Sequence, residues 1–296
     1  MNLNQIKNLI ANMENILTQL KAAIEEPVQQ IEPIQPNIDK LKSLLNDPLW
    51  PAAVDPSLIC DEASEEDKTS RANDVLNIII ERNLQDVKFL DYGCGEGHMA
   101  VKSKDLGTSL SVGYDIKTST NFIWETQQEK VLLTTDFVKV ANAGPIDVIL
   151  LYDVLDHLEN ETAIEVLTKL KTILTRNGSI YLRCHPFCSR HGNHLYREIN
   201  KAFIGLVFTH KELEDMGYNP MKTERILFPG KTYNEYISKS GLTIVKTNVD
   251  RDTVEPFFLK NEDIKAKILS SWDRGINEEF PAFQMEQSFV DYELKH

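Results

Sequence analysis

The sequence predicts an α/β fold: a doubly wound, mostly parallel seven-stranded sheet with its last strand antiparallel, preceded by an N-terminal helical, coiled-coil-like extension. Three observations predict it. From Ser64 onward, short apolar runs alternate with amphipathic stretches, the pattern of strands joined by crossover helices. A glycine-rich turn, Gly93 to Gly97, follows one apolar run and opens a helical stretch. Late in the chain, Leu242 to Val249 and Val254 to Leu259 read as two strands close enough to pair antiparallel.

The first element is different in kind. Leu3, Ile6, Ile10, Met13, Leu17, Leu20 and Ile24 are spaced 3-4-3-4-3-4, the seam of a coiled coil. So short a seam needs a partner: the same helix in another copy, another protein, or another element of this chain. The alternative is an amphipathic helix packed on its own domain, although such helices carry a wider apolar stripe. Pro27, Pro33 and Pro36 then break helicity, and a short helix is expected around Ile38 to Leu45. Three regions follow: a helical segment over 1–46, an irregular linker over 47–63, and a main domain over 64–296 with an insertion at about 197–230.

Within the main domain, Ser64 and Asp67 are placed as a capping box for a helix running to about Arg82. Val87 to Tyr92 reads as a strand, Gly97 to Leu106 as a helix, and Leu110 to Asp115 as a second strand. A helix is indicated from Phe122. Strands are expected at Val131 to Thr135, Ile146 to Leu151 and Ser179 to Cys184, with a helix from Glu161 to Leu174 stopped by Asn177-Gly178. Thr209 with Glu212 is a second capping box, and Tyr233 to Ser240 is a helix ended by Gly241.

Composition narrows the function. Of 296 residues, 42% are hydrophobic and 26% charged, which suits a globular protein. The net charge of -13 opposes binding to nucleic acid or to an anionic membrane. No apolar run is long enough to span a bilayer. The four cysteines, Cys60, Cys94, Cys184 and Cys188, are too few for a disulfide scaffold, so free thiols in a reducing cytoplasm are expected.

The glycine turn separates ligand classes by spacing. Asp91-Tyr92-Gly93-Cys94-Gly95-Glu96-Gly97 is followed by His98, so the third glycine comes one position too early for the dinucleotide fingerprint G-x-G-x-x-G. The phosphate loop G-x-x-x-x-G-K-[ST] is absent. Asp91 at the strand's end would repel a pyrophosphate and suits a ligand carrying ammonium and sulfonium charge.

These residues resemble the class I (Rossmann-like) S-adenosylmethionine-dependent methyltransferases, whose first motif is an acid followed by x-G-x-G-x-G after an apolar strand. Three more segments match in order: Val112-Gly113-Tyr114-Asp115, Thr135-Asp136-Phe137, and the run Ile146 to Leu158 with its acid-His-Leu ending. The resemblance covers roughly residues 64 to 260. It implies S-adenosylmethionine as cofactor, Asp115 on the ribose hydroxyls and Asp136 near the adenine amino group. It places Asp91, Tyr92, Gly93, Cys94, Gly95, Gly97, Asp115, Ile116, Asp136, Phe137, Tyr152 and Asp153 around the cofactor. The DNA amino-methylase signature is absent after the fourth strand, and the resemblance to the small-molecule members implies a small-molecule acceptor, methylated on oxygen or nitrogen, with a protein acceptor left open. The other functional class is a non-catalytic methyltransferase-fold protein that assembles through its N-terminal coiled coil.

Methyl transfer needs acceptor, carbon and sulfur held in line, and a base only where the acceptor must lose a proton. The candidates follow the fourth and fifth strands, where open sheets bind ligands. His157 is a base or a helix-packing residue. Within ten residues lie His185, His191 and His194. The segment Pro186 to Leu195 resembles a P-F-x-S-x-x-G-x-H-L stretch of some small-molecule methyltransferases. His157, His185 and His194 are therefore the expected catalytic residues. Cys184, Cys188, His191 and His194 have tolerable zinc spacings, but Cys184 ends a buried strand and no metal is assigned. Phe203, Ile204, Leu206, Val207 and Phe208 are apolar enough for a lid, and Arg190, Arg197 and Arg225 are candidates for an anionic acceptor.

Overall fold

A computed structural model gives the fold and describes residues 38–56, 64–80, 82–118, 131–220, 226, 228–271 and 282–296. The coiled-coil seam from Leu3 to Ile24 and the helix expected from Phe122 lie outside the described residues.

Seven strands form one sheet: β1 Lys88–Tyr92, β2 Leu110–Tyr114, β3 Val131–Thr134, β4 Ile146–Tyr152, β5 Leu174–Cys184, β6 Thr243–Arg251 and β7 Gln287–Lys295. Their order is β3-β2-β1-β4-β5-β7-β6, and only β7 runs antiparallel to its neighbours. Side chains alternate across the strands. Phe89, Val148, Leu150 and Tyr181 pack with Val75, Leu76 and Ile79 of α2 (Glu65–Ile79), next to α3 (His98–Asp105). On the opposite face, Leu90, Ile149, Leu151, Ile180 and Leu182 pack with α4 (Phe137–Asn142), α5 (Asn160–Ile173) and α8 (Pro229–Ser240). Helices on both faces of a mostly parallel sheet are what the alternating pattern predicts.

A second core lies apart from the sheet. It joins Leu41 of α1 (Ile38–Leu44), Trp50, the residues of α6 (Ile204–Val207), Leu213 of α7 (His210–Asp215), Phe258 of α9 (Pro256–Lys260), Ile264 and Ile268 of α10 (Glu262–Ser271), and Met285 of α11 (Ala282–Met285). Trp50 stacks on Phe208 at 6.4 Å, meets Phe258 edge-on at 6.1 Å, and donates its indole N–H to the Ala202 carbonyl at 2.9 Å. Lys40 of α1 pairs with Asp263 of α10.

Several expectations need correcting. Val254 to Leu259 is not a strand: Pro256 opens α9, and Phe258 is buried in the second core. The strand that pairs with β6 is β7, where Val290, Tyr292 and Leu294 alternate inward. Asn177-Gly178 does not stop a helix. The helix ends at Ile173, and both residues lie within β5, where a Cβ on Gly178 would sit 2.9 Å from the Asp147 carbonyl oxygen. Phe203, Ile204, Leu206, Val207 and Phe208 are interior residues of the second core, each at most 1% exposed. The capping box at Thr209 forms in full, whereas at Ser64 the hydroxyl accepts from the Asp67 N–H without a carboxylate returning to the cap backbone.

Candidate active site

Parallel strands deliver their carboxyl ends to one edge of the sheet, and β1 lies at the switch point between β2 and β4. The turn after β1 is built from glycines because its backbone is left-handed: φ is 82° at Gly93, 50° at Gly95 and 90° at Gly97. The N–H groups of Gly93 and Cys94 donate to the Tyr114 carbonyl at 2.7 and 3.0 Å, which fastens the turn to the end of β2. Gly95 N–H donates to Asp115 Oδ2 at 2.8 Å. A Cβ on Gly95 would meet nothing within 4 Å, whereas one on Gly93 would lie 2.5 Å from Val154 Cγ2. The glycine turn thus touches the loop after β4 on one side and faces open space on the other.

Asp91 is 2% exposed, and burial, with Asp115 adding like charge, pushes its carboxyl up to about 7. Asp136 caps α4, its Oδ1 accepting from the Val138 N–H at 2.9 Å, so one carboxylate oxygen is committed to the helix. Ile116 and Val138 follow β2 and β3 with exposed apolar side chains. Tyr92 packs on Tyr114, and Phe137 lies edge-on to Tyr114 under the Lys169 ammonium. Tyr152 turns toward Arg71. Cys94 is half-buried, and desolvation raises its thiol far out of the reactive range.

The loops after β4 and β5 converge. The Asp153 N–H donates to the Arg183 carbonyl at 2.9 Å, which holds the two strand ends together. Beyond them the rings of His157 and His194 lie 5.0 Å apart, His185 and His194 5.2 Å, and His185 and His191 4.0 Å. Asp156 stands beneath, its Oδ2 3.6 Å from His157 Nε2 and 4.0 Å from His194 Nε2. Burial lowers all four imidazoles; His194 falls to about 4, with His157 and His191 adding to the effect. Burial also raises Asp153 to about 7 and Asp156 well above the usual carboxylate range. Among the described residues, two of the four non-glycine residues with positive φ, Asp153 at 51° and His194 at 57°, are in this group.

The structure therefore brings together the three expected histidines, His157, His185 and His194, and adds His191 and Asp156. The Asp153-x-x-Asp156-His157 spacing was visible in the sequence, but only the fold shows Asp156 under the imidazoles. Val138 had no signal beyond being an apolar residue in the first turn of a helix. The cysteines do not join this group: Cys188 donates to the Gln284 carbonyl at 3.3 Å, and Cys184 is fully buried in the main core. Arg190 is engaged within the chain. It donates to the Ala52 carbonyl and pairs with Glu255. Arg225 lies outside the described residues.

A doubly wound sheet of this order, with an acidic, glycine-turned loop at its switch point and acids after β2 and β3, defines a class I S-adenosylmethionine-dependent methyltransferase. Residues 53–247 match the model of the methyltransferase-domain family, and the chain belongs to that family, whose cofactor is S-adenosylmethionine. Among solved structures, magnesium protoporphyrin IX methyltransferase of Synechocystis with bound S-adenosylhomocysteine is 15% identical over 87% of this chain and 92% of its own, with a TM-score of 0.46. A methyltransferase of Archaeoglobus fulgidus is 15% identical over 82% and 100%, at 0.45. The cyclopropane synthase MmaA2 of Mycobacterium tuberculosis is 12% identical over 78% and 85%, at 0.47. Comparison with curated protein sequences finds no match. Among the described residues no helix is long and apolar enough to cross a membrane.

Proposed function

We propose that the chain transfers a methyl group from S-adenosylmethionine to an oxygen or nitrogen of a small-molecule acceptor seated against His157, His185 and His194. One observation carries this reading: the glycine turn meets the loop after β4 at Val154, and that loop carries the buried histidine group. The cofactor supplies a methyl group on a positively charged sulfur. The chain's residues do the rest. Asp91 favours a cationic methionine moiety, Asp115 accepts from the ribose hydroxyls, and Ile116 and Val138 offer apolar walls to the adenine. Tyr152 and Asp153 border the methionine end. The imidazoles are uncharged near neutrality, so each keeps a lone pair with which to orient the acceptor or take its proton. His185 is 3% exposed, and a group so enclosed suits a small acceptor better than a polymer.

Calorimetry with S-adenosylmethionine and S-adenosylhomocysteine tests the cofactor half; absence of binding at millimolar concentration would sink it. For the chemical half, turnover is followed as S-adenosylhomocysteine released with a panel of phenols, hydroxy acids and amines. H185Q is expected to keep S-adenosylhomocysteine affinity and lose turnover. Wild-type turnover in H185Q with every accepted compound would remove the histidine group from the reaction.

A further inference from the structure

The histidine group contains an arrangement that acceptor binding does not explain. Asp156 is 5% exposed, and neither of its carboxylate oxygens has a hydrogen-bond partner among the described residues. The backbone N–H groups of Asp156 and His185 partly offset the cost of its burial. Buried carboxylates normally accept several hydrogen bonds or face a fixed cation. Here the only basic groups within ion-pair distance of Asp156, among the described residues, are the imidazoles of His157 and His194. The nearby guanidinium of Arg183 is already taken by Asp291, at 2.6 and 2.7 Å, and by Asp250. His185, against His194, has a buried Nε2 without a partner, and His191 a buried Nδ1 without one.

The spacing is informative. Asp156 Oδ2 is 3.6 Å from one imidazole nitrogen and 4.0 Å from the other, and one ligand atom from each residue lies within 4.8 Å of the others. These separations are too long for hydrogen bonds. They are close to the edges, roughly 3.4 Å, of a tetrahedron with metal–ligand bonds of about 2.1 Å. Bringing the two carboxylate–imidazole separations to that edge takes shifts of a few tenths of an ångström. Two imidazole nitrogens and one carboxylate oxygen, without sulfur, are the donors that zinc, cobalt and manganese share.

We propose that Asp156, His157 and His194 bind a single divalent transition-metal ion at the mouth of the acceptor site. Three protein ligands leave coordination positions open, as in catalytic rather than structural metal sites. Where the methyl-transfer reading holds, on which this clause rests, the open positions face the acceptor, and the class of acceptor favoured is one with a hydroxyl or carboxylate oxygen that a metal polarises. His157 and His194 then give their lone pairs to the metal, and the proton-accepting role falls to His185, which stands against His194.

The test uses the full chain stripped with a chelator. Cobalt(II) is titrated in and followed by its visible absorption, with zinc(II) calorimetry alongside. One equivalent is expected. H157Q and H194Q are expected to weaken uptake at least tenfold each. H98Q, which alters the separate exposed trio Glu65, Glu96 and His98, is expected to leave it unchanged. Because the side chain of His157 is about one third exposed (34%), H157Q should fold even if a D156N chain does not. No uptake by the wild type, uptake unchanged in both H157Q and H194Q, or uptake lost in H98Q alone would each overturn the site. S-adenosylhomocysteine binding is measured on the same samples. Normal cofactor binding without metal uptake rejects this site and leaves the methyltransferase reading standing; metal uptake without cofactor binding does the reverse.

Discussion

Asp91 sits where a carboxylate is costly, enclosed at the end of the central strand with Asp115 nearby. With its carboxyl raised to about 7, the folded cofactor-free chain holds a proton that the unfolded chain releases near pH 4. Stability from this group is therefore highest in acid and falls as pH rises from about 4 to about 7, by at most about 4 kcal/mol. A cationic ligand reverses the preference, because it selects the ionised form. Affinity for S-adenosylmethionine is expected to climb with pH, up to about tenfold per unit, and to level off above about 7. D91N should bind more weakly with a flatter profile, and calorimetry between pH 5.5 and 8.5 reads both. A flat wild-type profile would remove Asp91 from the site. Two of the three glycines of the turn make a second, sharper pair. G93A meets Val154 at a left-handed position and should lose about 1–3 kcal/mol in urea unfolding together with cofactor binding. G95A meets no protein atom and should cost about 1 kcal/mol from backbone strain, yet still lose binding, because the added methyl projects into the open space where the cofactor is placed. Equal effects of both on stability would argue against that placement.

At the scale of elements, what was legible followed from periodicity. Five strands, from β1 to β5, and the helices α3 and α5 were marked by apolar runs bounded by turn residues, because a sheet buried on both faces leaves little freedom in composition, whereas α4 carried too short a pattern to be read. Val254 to Leu259 was misread for a physical reason. A short apolar run is equally a strand or a buried helical turn, and here Pro256 decides for the helix. β7 was missed although Val290, Tyr292 and Leu294 alternate, since its position between β5 and β6 is set by long-range pairing that local pattern does not contain. The histidine group was legible as a density of one residue type, but the depth of Asp156 beneath it was not. The second core rests on Trp50, which ties α6 and α9 to the segment after α1. W50A is expected to cost about 3–5 kcal/mol in denaturant unfolding. Cofactor affinity should be retained in the fraction that stays folded, because Trp50 packs among the second core's side chains, apart from the glycine turn.

For the whole molecule, cofactor binding and assembly are separable questions. Saturation with S-adenosylhomocysteine at 100 times its dissociation constant should stabilise the chain by about 2.7 kcal/mol, visible as a rise of several degrees in Tm. The coiled-coil seam makes a different prediction. If that spacing joins copies of the chain, removing residues 1–35, a cut that spares α1, lowers the subunit count measured by light scattering; an unchanged count would dispose of self-association through it. One feature of the sheet also bears on how the protein is made. β5 is complete at Cys184, but the strand that covers its edge begins only at Gln287. While the ribosome adds the intervening residues, at roughly 5–20 per second, the nascent chain offers a bare, apolar strand edge to any other chain nearby. The vulnerable period for this protein is thus translation itself, and its yield in a cell should depend on how well chaperones shield that edge until β7 arrives.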